Sequence, residues 1–155
     1  MDWISSAISP LRDLVAYLTK QSDTTDVHKR QLLRELRNNL LVFENAFVNN
    51  TEPDIIIDNL SNEAIKQALK ANFNFSRLRS GRIAEEHVHN ERNKKYKGWT
   101  AGKLIDKIDE KIEELKTIKR LNNDTVRQAK NNISLMISNL YFRMLLLADF
   151  IKSKQ

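Results

Sequence analysis

The chain has no cysteine, three glycines and two prolines in 155 residues, and only 7% of its residues are aromatic. The missing cysteine removes disulfide frameworks, thiolate zinc sites and cysteine nucleophiles together, and it fits a reducing compartment. Scarce glycine and proline argue against a β-sandwich, whose many tight turns draw on those two residues. Gly81, Gly98 and Gly102 cannot form a phosphate-binding glycine loop, and no Gly-x-Ser-x-Gly nucleophile turn occurs. No run of eighteen apolar residues is present, so integral membrane association is not expected. Met1 to Ile8 carries Asp2 and lacks a basic leader and a long apolar core, so no secretory signal is expected there.

What the chain does have is charge, 30% of its residues with a net +6, and apolar residues at helical spacing. The length is that of one domain. A single cytoplasmic helical domain over residues 1–155 is the expectation.

Leu33, Leu36, Leu40, Phe43 and Phe47 recur at three and four residues, which predicts a helix over about Thr25 to Asn49, with capping side chains in Ser22-Asp23-Thr24-Thr25. Upstream, Ser9-Pro10 reads as an N-cap and first-turn proline before Leu11, Leu14, Val15 and Leu18. Ile105, Ile108, Ile112 and Leu115 mark a helix over Thr100 to Arg120. Val126, Ala129, Ile133, Met136, Leu140, Met144, Leu147 and Ile151 mark another, capped by Asp124 after the short link Leu121-Asn122-Asn123. The reading is all-α: an antiparallel four-helix bundle core of two hairpins, 10–49 and 100–153, with an inserted short-helix segment over 50–99.

That segment is too long for a structureless loop. Thr51-Glu52-Pro53-Asp54 reads as a turn into Ile55-Ile56-Ile57, and Ser61 as the cap of a helix holding Ala64, Ile65, Ala68, Leu69 and Ala71. A further helix is expected from Arg82 to about Lys95, bracketed by Gly81 and Gly98. Residues 77–97 hold Arg77, Arg79, Arg82, Arg92, Lys94, Lys95 and Lys97 against Glu85, Glu86 and Glu91, which is four of the six net positive charges. With Phe73, Phe75, Tyr96 and Trp99 beside them, these cations suit a surface that tracks phosphates and stacks bases; they equally suit a solvated connector with buried aromatic anchors.

Within it, Arg82-Ile83-Ala84-Glu85-Glu86-His87 resembles the arginine, four residues, histidine motif of HEPN-type ribonucleases, which are themselves helical bundles. The resemblance covers six residues, and Ile83 stands where a polar residue commonly follows the arginine. It implies Arg82 stabilising charge on a phosphate and His87 assisting proton transfer, usually across a dimer. Glu86 and His89 have the carboxylate-to-histidine spacing of di-iron bundles, but His28 is the only histidine outside this stretch, and it follows Thr25 by three residues, so the second ligand set is missing. Glu85 and His89 could also pair as a surface contact. No metal site and no cofactor are expected.

The last helix is apolar nearly all round, from Leu140 to Ile151, with Arg143 and Asp149 as interruptions expected to mark the side that reaches solvent. A helix apolar on every side is buried on every side, either by its own connector or by a partner. Phe142, Leu145, Leu146 and Phe150 are the candidate interface. Trp3, Ile4, Ile8 and Leu11 form an aromatic-led edge that could touch a membrane surface, although no Lys or Arg accompanies it. The leading functional expectation is a non-enzymatic helical protein-interaction module that binds a protein partner or itself as a homo-oligomer. The alternative is an RNA-binding protein or HEPN-like ribonuclease using residues 77–97.

Overall fold

The structure, a computed structural model, describes residues 2–153, with side chains from residue 11 onward. Among the described residues the chain is all-helical, with no strand. Six α-helices are present: α1 (Asp2–Gln21), α2 (Val27–Val48), α3 (Pro53–Asn59), α4 (Glu63–Lys70), α5 (Ala101–Leu121) and α6 (Ile133–Lys152). Three short 3-10 turns lie between α4 and α5, at Phe75–Arg77, Glu85–His87 and Glu91–Tyr96. The pairs read from the sequence, α1 with α2 and α5 with α6, share the most extensive helix contacts, as a helical bundle requires.

Local chemistry sets the ends of these helices. Asp26, one residue beyond the polar stretch expected to cap α2, accepts the Lys29 N–H at 3.3 Å. Thr100 accepts the Lys103 N–H at 3.2 Å and so fixes the start of α5. Pro53 takes the first position of α3, where its missing N–H costs no bond, so the expected turn into Ile55-Ile56-Ile57 is itself helical. At α4 the cap comes from elsewhere. Ser61 does not cap it with its hydroxyl alone; the buried Glu35 of α2 accepts from the Ala64 N–H at 2.7 Å, the Ile65 N–H at 3.2 Å and the Ser61 hydroxyl at 2.8 Å. A carboxylate at a helix N-terminus answers both the unpaired N–H groups and the positive end of the dipole.

Three expectations are overturned. Ser9 and Pro10 do not start a helix, because α1 already runs from Asp2; their side chains, like those of Trp3, Ile4 and Ile8, lie outside the described ones. Asp124 does not cap the last helix. Asn123 and Asp124 adopt φ of 59° and 62°, and the Asp124 carboxylate binds Lys119 Nζ at 2.9 Å, so the chain stays irregular until Asn132 caps α6 through the Leu135 N–H. Val126, expected on the helix, is buried in this loop instead, held by its N–H to Asp54 at 2.7 Å.

The third correction concerns the helix expected over Arg82 to Lys95. Gly81 and Gly98 sit at φ of 79° and 87°, a left-handed backbone that glycine adopts without strain. Between them the chain folds back on itself, the Ile83 N–H donating to Trp99 O and the Gly98 N–H to Ile83 O, both at 2.8 Å. Asn90 then takes the Arg92 N–H on its own side chain at 3.0 Å, which separates two short 3-10 turns. Glu86 and His89 therefore share no helix face.

α6 lies at the centre, packed by α1, α2, α3, α5 and the 3-10 turns at Glu85–His87 and Glu91–Tyr96. By length and composition it is the one helix among the described residues able to cross a membrane, and 67% of that stretch is buried against the rest of the chain. Around Tyr141 the rings of Phe43, Phe47 and Phe142 gather at centroid separations of 5.2, 5.1 and 5.3 Å. Burial there pushes the Tyr141 phenol well above its ordinary range.

Candidate functional site

The basic stretch folds over the C-terminal half of α6, and its cations are placed differently from one another. Arg79 is buried: its Nε donates to Phe150 O at 2.7 Å, its other nitrogens reach Ser80 O and Ser153 O, and the guanidinium covers the Phe150 ring at 4.2 Å. Arg92 lies half-buried on α6, donating to Ser138 and Asn139 and covering the Phe142 ring at 4.5 Å. Arg77 pairs with Asp26. Arg79 and Arg92 thus cover apolar rings that would otherwise meet solvent. Arg82, Lys94, Lys95 and Lys97 are exposed; Arg82 donates to Gly98 O at 2.9 Å, and Lys94 and Lys97 lie 3.1 and 3.6 Å from Glu91 and Glu85.

Arg82 and His87 are placed unlike each other. Arg82 is exposed, whereas His87 is 5% exposed, stacks edge-on against Phe150 at 5.0 Å and accepts the Ala84 N–H on Nδ1 at 2.8 Å. That bond fixes the neutral ring with its proton on Nε2. His89 is exposed and meets Asp149 of α6 at 2.9 Å. Among the described residues no group of three histidine, aspartate or glutamate side chains stands close enough to hold a metal ion.

Of the interface candidates, Phe142, Leu146 and Phe150 are buried within the chain at 7%, 3% and 0% exposure, and only Leu145 is partly open. This corrects the expectation that they form an outer face. Arg143, expected to mark the solvent side, is buried too, its Nε donating to the Tyr96 hydroxyl at 2.8 Å.

Among the described residues, two further concave surfaces lie away from a depression of about 390 Å³ lined by Phe73, Phe75, Arg79 and Gly102. One is a cleft of about 380 Å³ between α1, the 87–93 segment and α6, with Leu14, Phe142, Leu145 and Leu146 as its apolar wall. The other is a pair of adjoining grooves along α2 and α3, of about 340 and 170 Å³, which share Ala46, Thr51 and Ile56. None of the residues lining these grooves is charged, in a chain where 30% are. Asn45, Asn49 and Asn59 rim the larger one, each donating one amide N–H to the carbonyl four residues back. The sequence carried a sign of this face in Asn38, Asn45 and Asn49 at steps of seven and four, which puts them on one side of α2. No family model, curated protein or solved structure matches the chain.

Proposed function

We propose that the protein is a non-enzymatic helical interaction module that pairs with a second copy of itself through the α2–α3 face. The observation that carries this is the uncharged lining of the grooves, beside which Ile55 and Val48 are 51% and 69% exposed. In a two-fold dimer a surface meets itself, so a patch dominated by one sign of charge repels its own copy. Aliphatic side chains rimmed by asparagines do not. Asn45, Asn49 and Asn59 each keep a carbonyl oxygen and a second N–H, so the rim can both donate to and accept from its own image. Depletion of charge at the centre of a patch is also what distinguishes interfaces from ordinary surface.

Sedimentation equilibrium tests this directly: the mass is expected to exceed 18.1 kDa and rise toward twice that value with concentration. Ile55→Glu is expected to restore the monomer mass with an unchanged helical circular dichroism spectrum. A wild-type monomer at every concentration, or an unaltered mass for Ile55→Glu, overturns the proposal.

A second reading, RNA binding, is favoured by the exposure of Arg82, Lys94, Lys95 and Lys97. It predicts salt-sensitive affinity for single-stranded RNA that falls when the three lysines are changed together to glutamine. Arg79 is unsuited to that test because it is buried against the end of α6.

A further inference from the structure

The cleft between α1 and α6 shares no lining residue with the α2–α3 grooves, and its chemistry is different. Two of its side chains are almost wholly buried and polar: His87 at 5% and Asn93 at 4% exposure. Each is anchored by one of its two polar atoms. His87 Nδ1 accepts the Ala84 N–H at 2.8 Å, which leaves the proton on Nε2. Asn93 Nδ2 donates to Phe142 O at 3.0 Å; a carbonyl can only accept, so the amide is oriented and Oδ1 is the atom left over.

Neither leftover atom is engaged by the described residues. The nearest carboxylate oxygen to His87 Nε2 is that of Glu86, 3.9 Å away and beyond hydrogen-bond reach. Both residues line the cleft. Asn90 adds a second donor, since its Oδ1 is taken by the Arg92 N–H. Fixed donors and an acceptor in front of an apolar wall form the usual pattern of a small-molecule pocket, and the volume lies in the range of roughly 300–1,000 Å³ such pockets occupy. At the rim Asp13 and Asp149 stand with Lys152 and His89, and Asp149 with His89 is already paired. With His89 counted neutral the rim holds two carboxylates against one ammonium, so it does not favour an anion.

We infer that this cleft binds a small neutral ligand of the aromatic or heterocyclic amide class. The ligand's carbonyl oxygen accepts from His87 Nε2–H, its N–H donates to Asn93 Oδ1, and its ring lies against Leu14, Leu145 and Leu146. Binding satisfies two buried polar atoms at once, whereas a purely apolar ligand would seal them off without partners.

Three probes of similar size separate the possibilities by nuclear magnetic resonance titration of the full chain: benzamide, toluene and benzoate. Benzamide is expected to give saturable shifts at the amides of Leu14, Asn90, Asn93 and Leu145, and to bind about tenfold more tightly than toluene, the worth of one well-placed hydrogen bond. Leu145→Trp, at a partly open wall position, is expected to abolish those shifts while the spectrum stays folded. His87→Phe keeps an aromatic ring against Phe150 and is expected to erase the preference for benzamide over toluene. Equal affinities for benzamide and toluene, tighter binding of benzoate, shifts away from the cleft, or no saturable benzamide binding each overturn the inference.

Discussion

Arg79 holds the last turn of α6 from 71 residues away, its Nε donating to the carbonyl of Phe150 at 2.7 Å while its guanidinium lies flat enough on the same residue's ring to sit 4.2 Å from the centroid. The final carbonyls of a helix have no N–H partner within it and form the negative end of its dipole. A buried arginine reaching Phe150 O and Ser153 O supplies both the donors and the opposite charge. Its role is to close the central helix beneath the basic stretch.

Arg79→Ala is accordingly expected to cost about 2–4 kcal/mol, because it removes several charge-assisted bonds and uncovers the Phe150 ring. Arg79→Lys should recover little of that loss, since an ammonium cannot stack on the ring and bridge separated carbonyls together. Urea denaturation midpoints of the three proteins check this. Equal midpoints for wild type and Arg79→Ala would show that the clamp adds nothing.

Leu146 tests where the C-terminal helix faces. At 3% exposure it belongs to the core, so Leu146→Ala is expected to destabilise by about 2–5 kcal/mol and Leu146→Glu to prevent folding at room temperature. Ile55→Glu, at a site 51% exposed, should stay within about 0.5 kcal/mol of wild type once the protein is monomeric. Thermal unfolding followed by circular dichroism separates the two. A folded, soluble Leu146→Glu protein would contradict the burial.

Asp54 makes stability depend on pH in a stated direction. Burial pushes its carboxyl up, but the Thr125 hydroxyl at 2.5 Å, the Val126 N–H at 2.7 Å and the charges of Lys119 and Arg127 outweigh that and hold it below its ordinary value of 3.8. A carboxylate lowered by folding stabilises the native state fully above its unfolded value and loses that contribution as pH falls through the folded one. Glu113, held down by the Asn62 amide at 2.9 Å and by Lys66, acts in the same sense, screened by its exposure. Asp109 opposes them, its carboxyl raised by desolvation. Asp54→Asn should therefore be less stable than wild type near neutrality, and its stability should fall less steeply from about pH 4 downward. Guanidinium titrations across that range measure the two slopes. Parallel slopes would remove Asp54 from the acid response.

The long amphipathic segments were legible because their cause is local. Leu33 to Phe47 and Ile105 to Leu115 repeat every three to four residues, and Thr100 precedes the α5 stripe with a hydroxyl that can only help a helix begin. The start of α6 was not. Val126 and Ala129 continue its spacing, yet Asp124 is taken by Lys119 and the Val126 N–H by Asp54, a partner 72 residues away that no local pattern contains. The segment from Gly81 to Gly98 failed for a related reason. Its helix formers are outweighed by a pair of backbone bonds between Ile83 and the residues at Gly98 and Trp99, fifteen and sixteen positions further on.

The same division runs through the candidate sites. Composition and periodicity by themselves determined that the chain is helical, that its last helix is apolar all round, and that positive charge concentrates between residues 77 and 97. Only the tertiary structure decided that this helix is the centre of the fold and not an outer face, and that Arg79 and Arg92 are coverings for its phenylalanine rings. It also decided that an uncharged asparagine-rimmed face lies on the surface of α2 and α3. The physical reason is one of range. Helix formation depends on side chains a turn apart, whereas burial depends on which distant segment comes to lie on each face, and that is settled when the whole chain packs.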